Sequence, residues 1–200
     1  MKKIILSLAA VLAFSAANAQ DKKQGTEGFA KGDLFVTGAF TISGTNDKNT
    51  EEKTSFFEFA PQVNYFVTEN ISLGAKIGYS SEKAEDNGVD TQDDSTLTLG
   101  LVGRYYFTPA SKFSLFGQLG FDYMTMTNNL TSPELKENGF GAGLGLGLNY
   151  FVSSNFSIEA GVTALEFASA KAVVSGAKNV TAFGFGGGWR AVSFGVNYKF

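Results

Sequence analysis

Cysteine and histidine are both absent from the 200-residue sequence. Without cysteine there is no disulfide framework, no thiolate metal site, no thiol nucleophile and no lipid-acylated cysteine. Without histidine, Ser-His and Cys-His catalysis and the commonest zinc ligand are excluded as well. We therefore expect a protein that is not an enzyme and that has no cofactor or metal.

Charge and proline are also scarce. Charged residues make up 18% of the chain and only 3 prolines occur, whereas there are 24 glycines and 20 phenylalanines. Without Lys2 and Lys3, which belong to a leader segment, 14 basic residues face 19 acidic ones, a net charge of −5. This balance excludes the basic surface of a nucleic-acid-binding protein. The composition is unusual for a soluble domain and suits strands that contact apolar surroundings.

The N-terminus has the three parts of a secretory signal peptide: Lys2 and Lys3, an apolar stretch over 4–14, and the small-residue end Ala17-Asn18-Ala19. The apolar stretch is shorter than the roughly 18 residues that span a bilayer, so a cleaved signal peptide over 1–19 is favoured over an uncleaved anchor. Residues 20–33 are polar and predict a flexible periplasmic tail. Residues 34–200 form the folded domain.

Beyond residue 33, apolar residues recur at every second position, as in strands with two different faces. Leu97, Leu99 and Leu101, for example, alternate with Thr98 and Gly100. Eight strands are predicted at about 34–43, 55–66, 71–81, 95–107, 113–127, 139–151, 156–168 and 182–200. Short turns at 67–70, 108–112 and 152–154 alternate with long loops at 44–54, 82–94, 128–138 and 169–181. The pattern predicts an all-β fold, an eight-stranded antiparallel up-and-down barrel.

Part of the sequence is repeated, and the two clearest copies are Asn64-Tyr65-Phe66-Val67 and Asn149-Tyr150-Phe151-Val152. Looser copies are Arg104-Tyr105-Tyr106-Phe107 and the closing Asn197-Tyr198-Lys199-Phe200. Each unit contains two strands joined by a tight turn. The repeat therefore indicates hairpins rather than a solenoid or a propeller.

A period of two does not tell whether the apolar face points into a protein core or towards lipid. The opposite face consists mostly of Gly, Ser, Thr and Ala with about one charge per strand, which suits a crowded lumen better than a wetted surface. Tyr65, Tyr105, Tyr150 and Tyr198 stand where the apolar faces meet the short turns. These features favour a transmembrane barrel with an aromatic girdle over a soluble lipocalin-like barrel.

Over residues 34–200 the chain resembles the small eight-stranded outer-membrane barrels of the OmpX/OmpA type, without a periplasmic domain. The most specific feature is the C-terminal alternation of Val192, Phe194, Val196, Tyr198 and Phe200, which is similar to the assembly signal of that family. The resemblance implies a monomer in the outer membrane of a Gram-negative bacterium. It also implies contact with outer-membrane lipid and lipopolysaccharide, and recognition by the barrel-insertion machinery. Phe183 and Phe185 are out of phase with this alternation, so a bulge or loop is expected at 186–188.

Six charged residues fall on the predicted lumen face: Glu58, Asp122 and Glu159 against Lys76, Arg104 and Lys199. Equal numbers of the two signs suit a salt-bridged network, because an unpaired charge in a closed lumen costs several kcal/mol. The sequence does not decide which acid pairs with Arg104, and a gated or proton-conducting path is the alternative. The glycines at 139, 141, 143, 145 and 147 leave room for long side chains such as Arg104, Phe116, Met124 and Met126 to lean across.

The 82–94 loop contains six acidic residues against Lys83 alone. Their spacing fits no EF-hand calcium loop, so a solvated acidic loop is predicted. We expect a non-enzymatic barrel with a structural or surface-interaction role, such as adhesion or resistance, through its extracellular loops. The alternative is a narrow porin-like barrel or a transport barrel for a small hydrophobic ligand.

Overall fold

The computed structural model of the protein describes residues 27–186 and 192–200. The predicted signal peptide and the first part of the predicted tail lie outside the described residues. The strands in this part are β1 (Leu34–Asp47), β2 (Glu52–Phe59), β3 (Gln62–Phe66), β4 (Ile71–Asp86), β5 (Val89–Tyr106), β6 (Phe113–Asn128), β7 (Leu135–Phe151), β8 (Phe156–Ala172), β9 (Val180–Phe185) and β10 (Ser193–Lys199). Over the same residues, no helix is long and apolar enough to cross a membrane.

These ten segments form eight barrel strands. β2 and β3 both lie between β1 and β4, and Ala60 and Pro61 separate them. Proline cannot donate a backbone hydrogen bond, so it interrupts the strand. β9 and β10 both pair with β8, and β10 also pairs with β1, which closes the ring. The predicted eight-stranded antiparallel barrel is confirmed.

The apolar face of the strands points outwards and the small or polar face lines the lumen. Leu101 is 65% exposed, whereas Arg104 and Asn149 are buried. An apolar surface of this extent is stable only in contact with lipid. Tyr65, Tyr105, Tyr150 and Tyr198 lie on the outer face next to the short turns, where an aromatic girdle was predicted. A second aromatic rim, absent from the prediction, lies at the opposite end of the apolar belt: Tyr79, Tyr123, Phe140, Phe167 and Phe183.

The predicted long loops at 44–54 and 82–94 consist mostly of strand, and both ends of those at 128–138 and 169–181 are strand as well, which corrects the sequence interpretation. The connections shrink to 48–51, 87–88, 129–134 and 173–179. Asn87 and Gly88 both have positive φ, 51° and 77°, as the two-residue type I′ hairpin turn requires. We call the four hairpin ends at 44–54, 82–94, 128–138 and 169–181 the hairpin arms.

Polar cross-strand pairs hold the 44–54 and 82–94 arms in strand geometry. Lys83 Nζ lies 2.9 Å from Asp93 Oδ2, and Lys53 Nζ lies 2.8 Å from Glu85 Oε1. Opposed charges of this kind stabilise an antiparallel pair. The charged and polar residues of the arms do not alternate with apolar ones. The arms therefore lack the hydrophobic periodicity that predicts strands from sequence.

Residues 27–33 are bound to the barrel, although the sequence predicted a flexible tail up to Asp33. Phe29 is 2% exposed, and its backbone N donates to Pro109 O at 2.7 Å. Gly28 has φ 146°, and a Cβ there would lie 2.5 Å from the backbone carbonyl carbon of Ala110. Only glycine fits so close to the turn. The polar composition concealed this contact because a single phenylalanine provides the anchor.

The last strand closes the ring. Phe194, Val196 and Tyr198 point outwards, and Phe200 N donates to Leu34 O at 3.1 Å. Val192 precedes β10. The outward residues have odd numbers in β9 and even numbers in β10, so the phase changes between these strands as predicted. Gly187 and Gly188, which belong to the predicted bulge or loop at 186–188, lie outside the described residues.

Replacing Phe29 with alanine should lower the free energy of unfolding by about 3–5 kcal/mol, because a fully buried ring leaves a cavity. Urea titration of the refolded barrel in lipid vesicles measures this change. Lys31→Ala is the matched control, since the Lys31 side chain is exposed and such substitutions usually change stability by less than about 0.5 kcal/mol. Equal effects of the two substitutions would contradict the docking of this segment.

Candidate functional site: the barrel lumen

Six aromatic side chains fill the lumen at the end of the short turns. They form one buried cluster, which we call the aromatic plug: Phe29, Phe35, Phe66, Tyr106, Phe116 and Phe151. The ring centroid of Phe29 lies 4.6 Å from that of Phe35, 4.9 Å from Phe66 and 4.7 Å from Phe151. Aromatic pairs at these distances add about 0.5–1.5 kcal/mol each beyond the area they bury. The plug therefore closes this end of the lumen with closely packed carbon.

An ion pair crosses the lumen directly above the aromatic plug. Arg104 Nη1 donates to Glu159 Oε2 at 2.8 Å, and Arg104 Nη2 donates to Glu159 Oε1 at 3.1 Å. Both side chains are nearly buried, 5% and 10% exposed. The paired geometry is the strongest arrangement of these two groups. Of the three acids that the sequence left open, Glu159 is the partner of Arg104.

Neighbouring groups satisfy the remaining donors and acceptors of this pair. Arg104 Nε donates to Gln118 Oε1 at 2.6 Å, and Asn197 Nδ2 donates to Glu159 Oε2 at 2.9 Å. The guanidinium carbon lies 4.7 Å from the centroid of the Phe116 ring. A buried ion pair is favourable only with such additional hydrogen bonds, and here they tie β5, β6, β8 and β10 together.

The other predicted lumen charges do not join one network. Lys76 Nζ lies 3.0 Å from Asp122 Oδ2 in a half-exposed pair. Lys199 Nζ lies 3.8 Å from Asp33 Oδ2 and donates to Gly28 O, so its partners belong to the docked N-terminal segment. Glu58 has no ion pair among the residues that the structure describes. The sequence prediction placed all six charges in the lumen but did not distinguish these three environments.

Buried amide and hydroxyl groups accompany the ion pair, and their hydrogen bonds were not predicted from the sequence. Ser157 Oγ donates to Asn149 Oδ1 at 2.7 Å, and Asn197 Nδ2 donates to the same oxygen at 3.0 Å. On the other side, Asn64 Nδ2 donates to Thr37 Oγ1 at 3.3 Å. The sequence does contain a signal for these buried amides, because Asn64, Asn149 and Asn197 each occupy the first position of the repeated Asn-Tyr motif.

Above the ion pair the lumen opens into a cavity of about 610 Å³. Arg104 and Phe116 form its floor, and small residues of β6, β7 and β8 form much of its wall. Phe116 leans over Gly147, and the Met124 methyl covers Gly141, as the glycine pattern predicted. At Gly143 a Cβ would meet only ordinary van der Waals neighbours. The void therefore lies beside the glycines that no long side chain covers.

Outside the membrane-spanning part, hydrogen bonds shift the pKa of several ionisable groups, among them Asp93 and Lys112. The side chains of Asn129 and Lys83 hold the pKa of Asp93 below its ordinary value, and the Glu27 carboxylate raises the pKa of Lys112. A lowered acid pKa contributes stability above the ordinary value, and this contribution disappears as pH falls through the lowered value. The Asp93 contacts in the hairpin arm are therefore fully present at neutral pH.

The acidic residues of the described part of the lumen do not form a metal-ligand set. Within 27–186 and 192–200, no group of three or more Asp or Glu side chains is placed to hold a metal ion. Two of the lumen carboxylates are already paired within the protein: Glu159 with Arg104 and Asp122 with Lys76.

Replacing Arg104 with methionine should destabilise the barrel by about 3–5 kcal/mol, because Glu159 would remain buried without its cation. Replacing Glu159 with leucine in the same chain should recover much of this loss. In double-mutant cycles, the coupling of Arg104 with Glu159 should exceed about 1 kcal/mol, while its coupling with Asp122 or Glu58 should lie within about 0.5 kcal/mol of zero. Urea unfolding in vesicles gives all the required free energies, and a negligible Arg104–Glu159 coupling would contradict the ion pair.

Comparison with known proteins agrees with this architecture. A model of the outer membrane protein beta-barrel domain matches residues 6–200. The outer membrane protein OprG from Pseudomonas aeruginosa is 18% identical with a TM-score of 0.55, over 88% of this chain and 99% of that one. Neisserial surface protein A is 18% identical with a TM-score of 0.54, over 86% of this chain and 99% of that one. No curated protein is similar enough to count as a match.

At such low identity, the two solved structures show a shared fold and nothing more specific. The family model, in contrast, covers nearly the whole chain, and its match includes both the closed ring and the C-terminal strand. The chain belongs to the outer membrane protein beta-barrel domain family and is an outer-membrane β-barrel protein.

Proposed function

We propose that the protein is a non-enzymatic, non-conducting outer-membrane barrel with a structural or surface-interaction role through its hairpin arms. The observation that carries this proposal is the aromatic plug. Its six side chains are buried, and the Arg104–Glu159 pair lies directly above them. A lumen filled in this way offers no continuous aqueous path, which favours the surface role over the narrow porin-like alternative.

The hairpin arms are suited to a surface role. They extend beyond the second aromatic rim, and polar cross-strand pairs hold the 44–54 and 82–94 arms in defined strands. In the 82–94 arm, Lys83 is the single basic residue beside Glu82, Glu85, Asp86, Asp90, Asp93 and Asp94. Adhesion to a host surface, or resistance to a host or phage factor, requires an exposed and rigid element of this kind.

The route to the membrane belongs to the same proposal. A signal peptide over 1–19 directs export, and the barrel-insertion machinery recognises Val192, Phe194, Val196, Tyr198 and Phe200. Support comes from β10, whose apolar side chains face outwards while its backbone joins β1 to β8. The completed barrel then contacts outer-membrane lipid and lipopolysaccharide through its apolar belt, as a monomer.

Catalysis receives little support from the lumen. A general base has to come from Asp, Glu or Lys because histidine is absent. Glu159 and Asp122 are engaged in ion pairs with Arg104 and Lys76. Glu58 and Glu166 are the cavity-lining carboxylates left without an ion pair among the described residues. Transport of a small hydrophobic ligand is the remaining alternative, and the cavity above the plug is the feature that it would use.

In planar lipid bilayers, the purified barrel should give no reproducible unitary current steps, because the aromatic plug leaves no continuous water column. A general porin reconstituted in the same way serves as the positive control for insertion. Stable unitary steps from the wild-type barrel would overturn the non-conducting assignment and support the narrow porin-like alternative.

The hairpin arms should be accessible from outside the cell. Because the chain has no cysteine, Asp90→Cys in the 82–94 arm and Ala110→Cys in a short turn each provide a unique label site. A membrane-impermeant maleimide should label the Asp90→Cys variant in intact cells and the Ala110→Cys variant only after lysis. The reverse pattern would place the arms in the periplasm and remove the surface role.

A further inference from the structure

The cavity above the aromatic plug carries an excess of negative charge. Its lining includes the carboxylates of Glu58, Asp122, Glu159 and Glu166 but only two cations, Lys76 and Arg104. The described lining therefore has a net charge of −2. In a lumen surrounded by lipid, such an excess attracts a cation more strongly than it would on an open surface.

The two cations are already neutralised within the chain. Arg104 is bound by both oxygens of Glu159, and Lys76 is bound by Asp122. The remaining carboxylates, Glu58 on β2 and Glu166 on β8, line the cavity without an ion pair in the part of the chain that the structure describes. The excess charge is therefore concentrated on these two side chains.

The two carboxylates are well separated around the ring. β1 and the eighth barrel strand, formed by β9 and β10, lie between β2 and β8. Among the described residues, no set of three acidic groups is arranged for a metal ion. Two separated acids suit an elongated organic cation that carries one positive group for each.

The rest of the wall is small and largely apolar. Gly143 and Ala168 line it, and the Met124 side chain and the Phe116 ring project into the same space. A volume of about 610 Å³ lies within the usual range of small-molecule sites, about 300–1,000 Å³. A short carbon chain would find contact surface against these groups, while Gln62, Gln118 and Thr163 contribute polar atoms elsewhere in the lining.

We propose that this cavity binds a small aliphatic diamine, with one ammonium group at Glu58, the other at Glu166 and the carbon chain against the glycine-rich wall. The ligand enters from the side of the hairpin arms, because the aromatic plug closes the opposite end. This binding function goes beyond the proposed surface role and does not depend on it. The site is a closed-ended binding pocket, so it is compatible with a barrel that carries no current.

Binding is tested with the refolded mature chain in detergent micelles, using 1,5-diaminopentane as the probe. Pentylamine carries one ammonium group and 1-pentanol none, so affinity should fall in the order diamine, monoamine, alcohol. Methyl-¹³C methionine spectra report the location: the Met124 signal should shift on titration, whereas the Met126 signal should not, since Met126 does not line the cavity.

Glu58→Gln and Glu166→Gln should each weaken diamine binding about tenfold, as expected for the loss of one charged hydrogen bond. Glu134→Gln removes an exposed acid in the 128–138 arm and should leave the affinity unchanged. Heat-modifiable mobility on gels confirms that each variant is folded.

A second pair of variants tests the cavity without changing its charge. Gly120 lines the cavity, and a Cβ there would meet no atom within 4 Å, so Gly120→Leu fills the void and should abolish binding. Gly117→Leu adds the same side chain on the lipid face of the same strand and should have no effect. Equal binding of 1-pentanol, or wild-type diamine affinity in the Glu58→Gln and Glu166→Gln variants, would overturn the proposal. Conductance and arm labelling do not bear on it, so it can fail independently of the surface role.

Discussion

In lipid, every backbone N–H and C=O must find a partner within the protein, because the surrounding hydrocarbon offers none. A sheet can meet this requirement only by closing on itself. Here closure depends on β10, which pairs with β8 on one side and with β1 on the other. Once the ring is closed, alternate side chains must face lipid and lumen along every strand. The aromatic girdle, the second aromatic rim, the lumen ion pairs and the aromatic plug all follow from this division of side chains between lipid and lumen.

The repeated tripeptides show how one local motif supplies three layers of the barrel. In Asn64-Tyr65-Phe66 and Asn149-Tyr150-Phe151, the asparagine enters the buried hydrogen-bond layer, the tyrosine joins the outer girdle and the phenylalanine joins the aromatic plug. Arg104-Tyr105-Tyr106 follows the same order, with the arginine as the charged member of the polar layer. Adjacent residues of a strand face opposite sides. The first and third residues of each tripeptide therefore point into the lumen, and the second points towards lipid.

The half of the lumen near the short turns and the half near the hairpin arms differ in how they are filled. Near the short turns, large rings and buried polar side chains occupy the lumen. Towards the hairpin arms, glycine and alanine leave a void, and the acidic groups outnumber the cations. Close packing makes the lower half rigid and closes it with side chains. The upper half keeps an open cavity, and the polar hairpin arms lie above it.

The sequence by itself determined the eight strands, their two faces, the lower girdle and the set of lumen charges, because a period of two is a local property of the chain. Asn87-Gly88 forms a tight turn within the predicted 82–94 loop. The polar arms beside this turn lack the apolar alternation that predicts strands. Only the tertiary structure decided that Glu159 is the partner of Arg104, since their heights depend on the stagger between strands that are 55 residues apart. It alone decided that Phe29 enters the plug and that a cavity remains above Arg104, because both depend on side chains that meet across the closed ring.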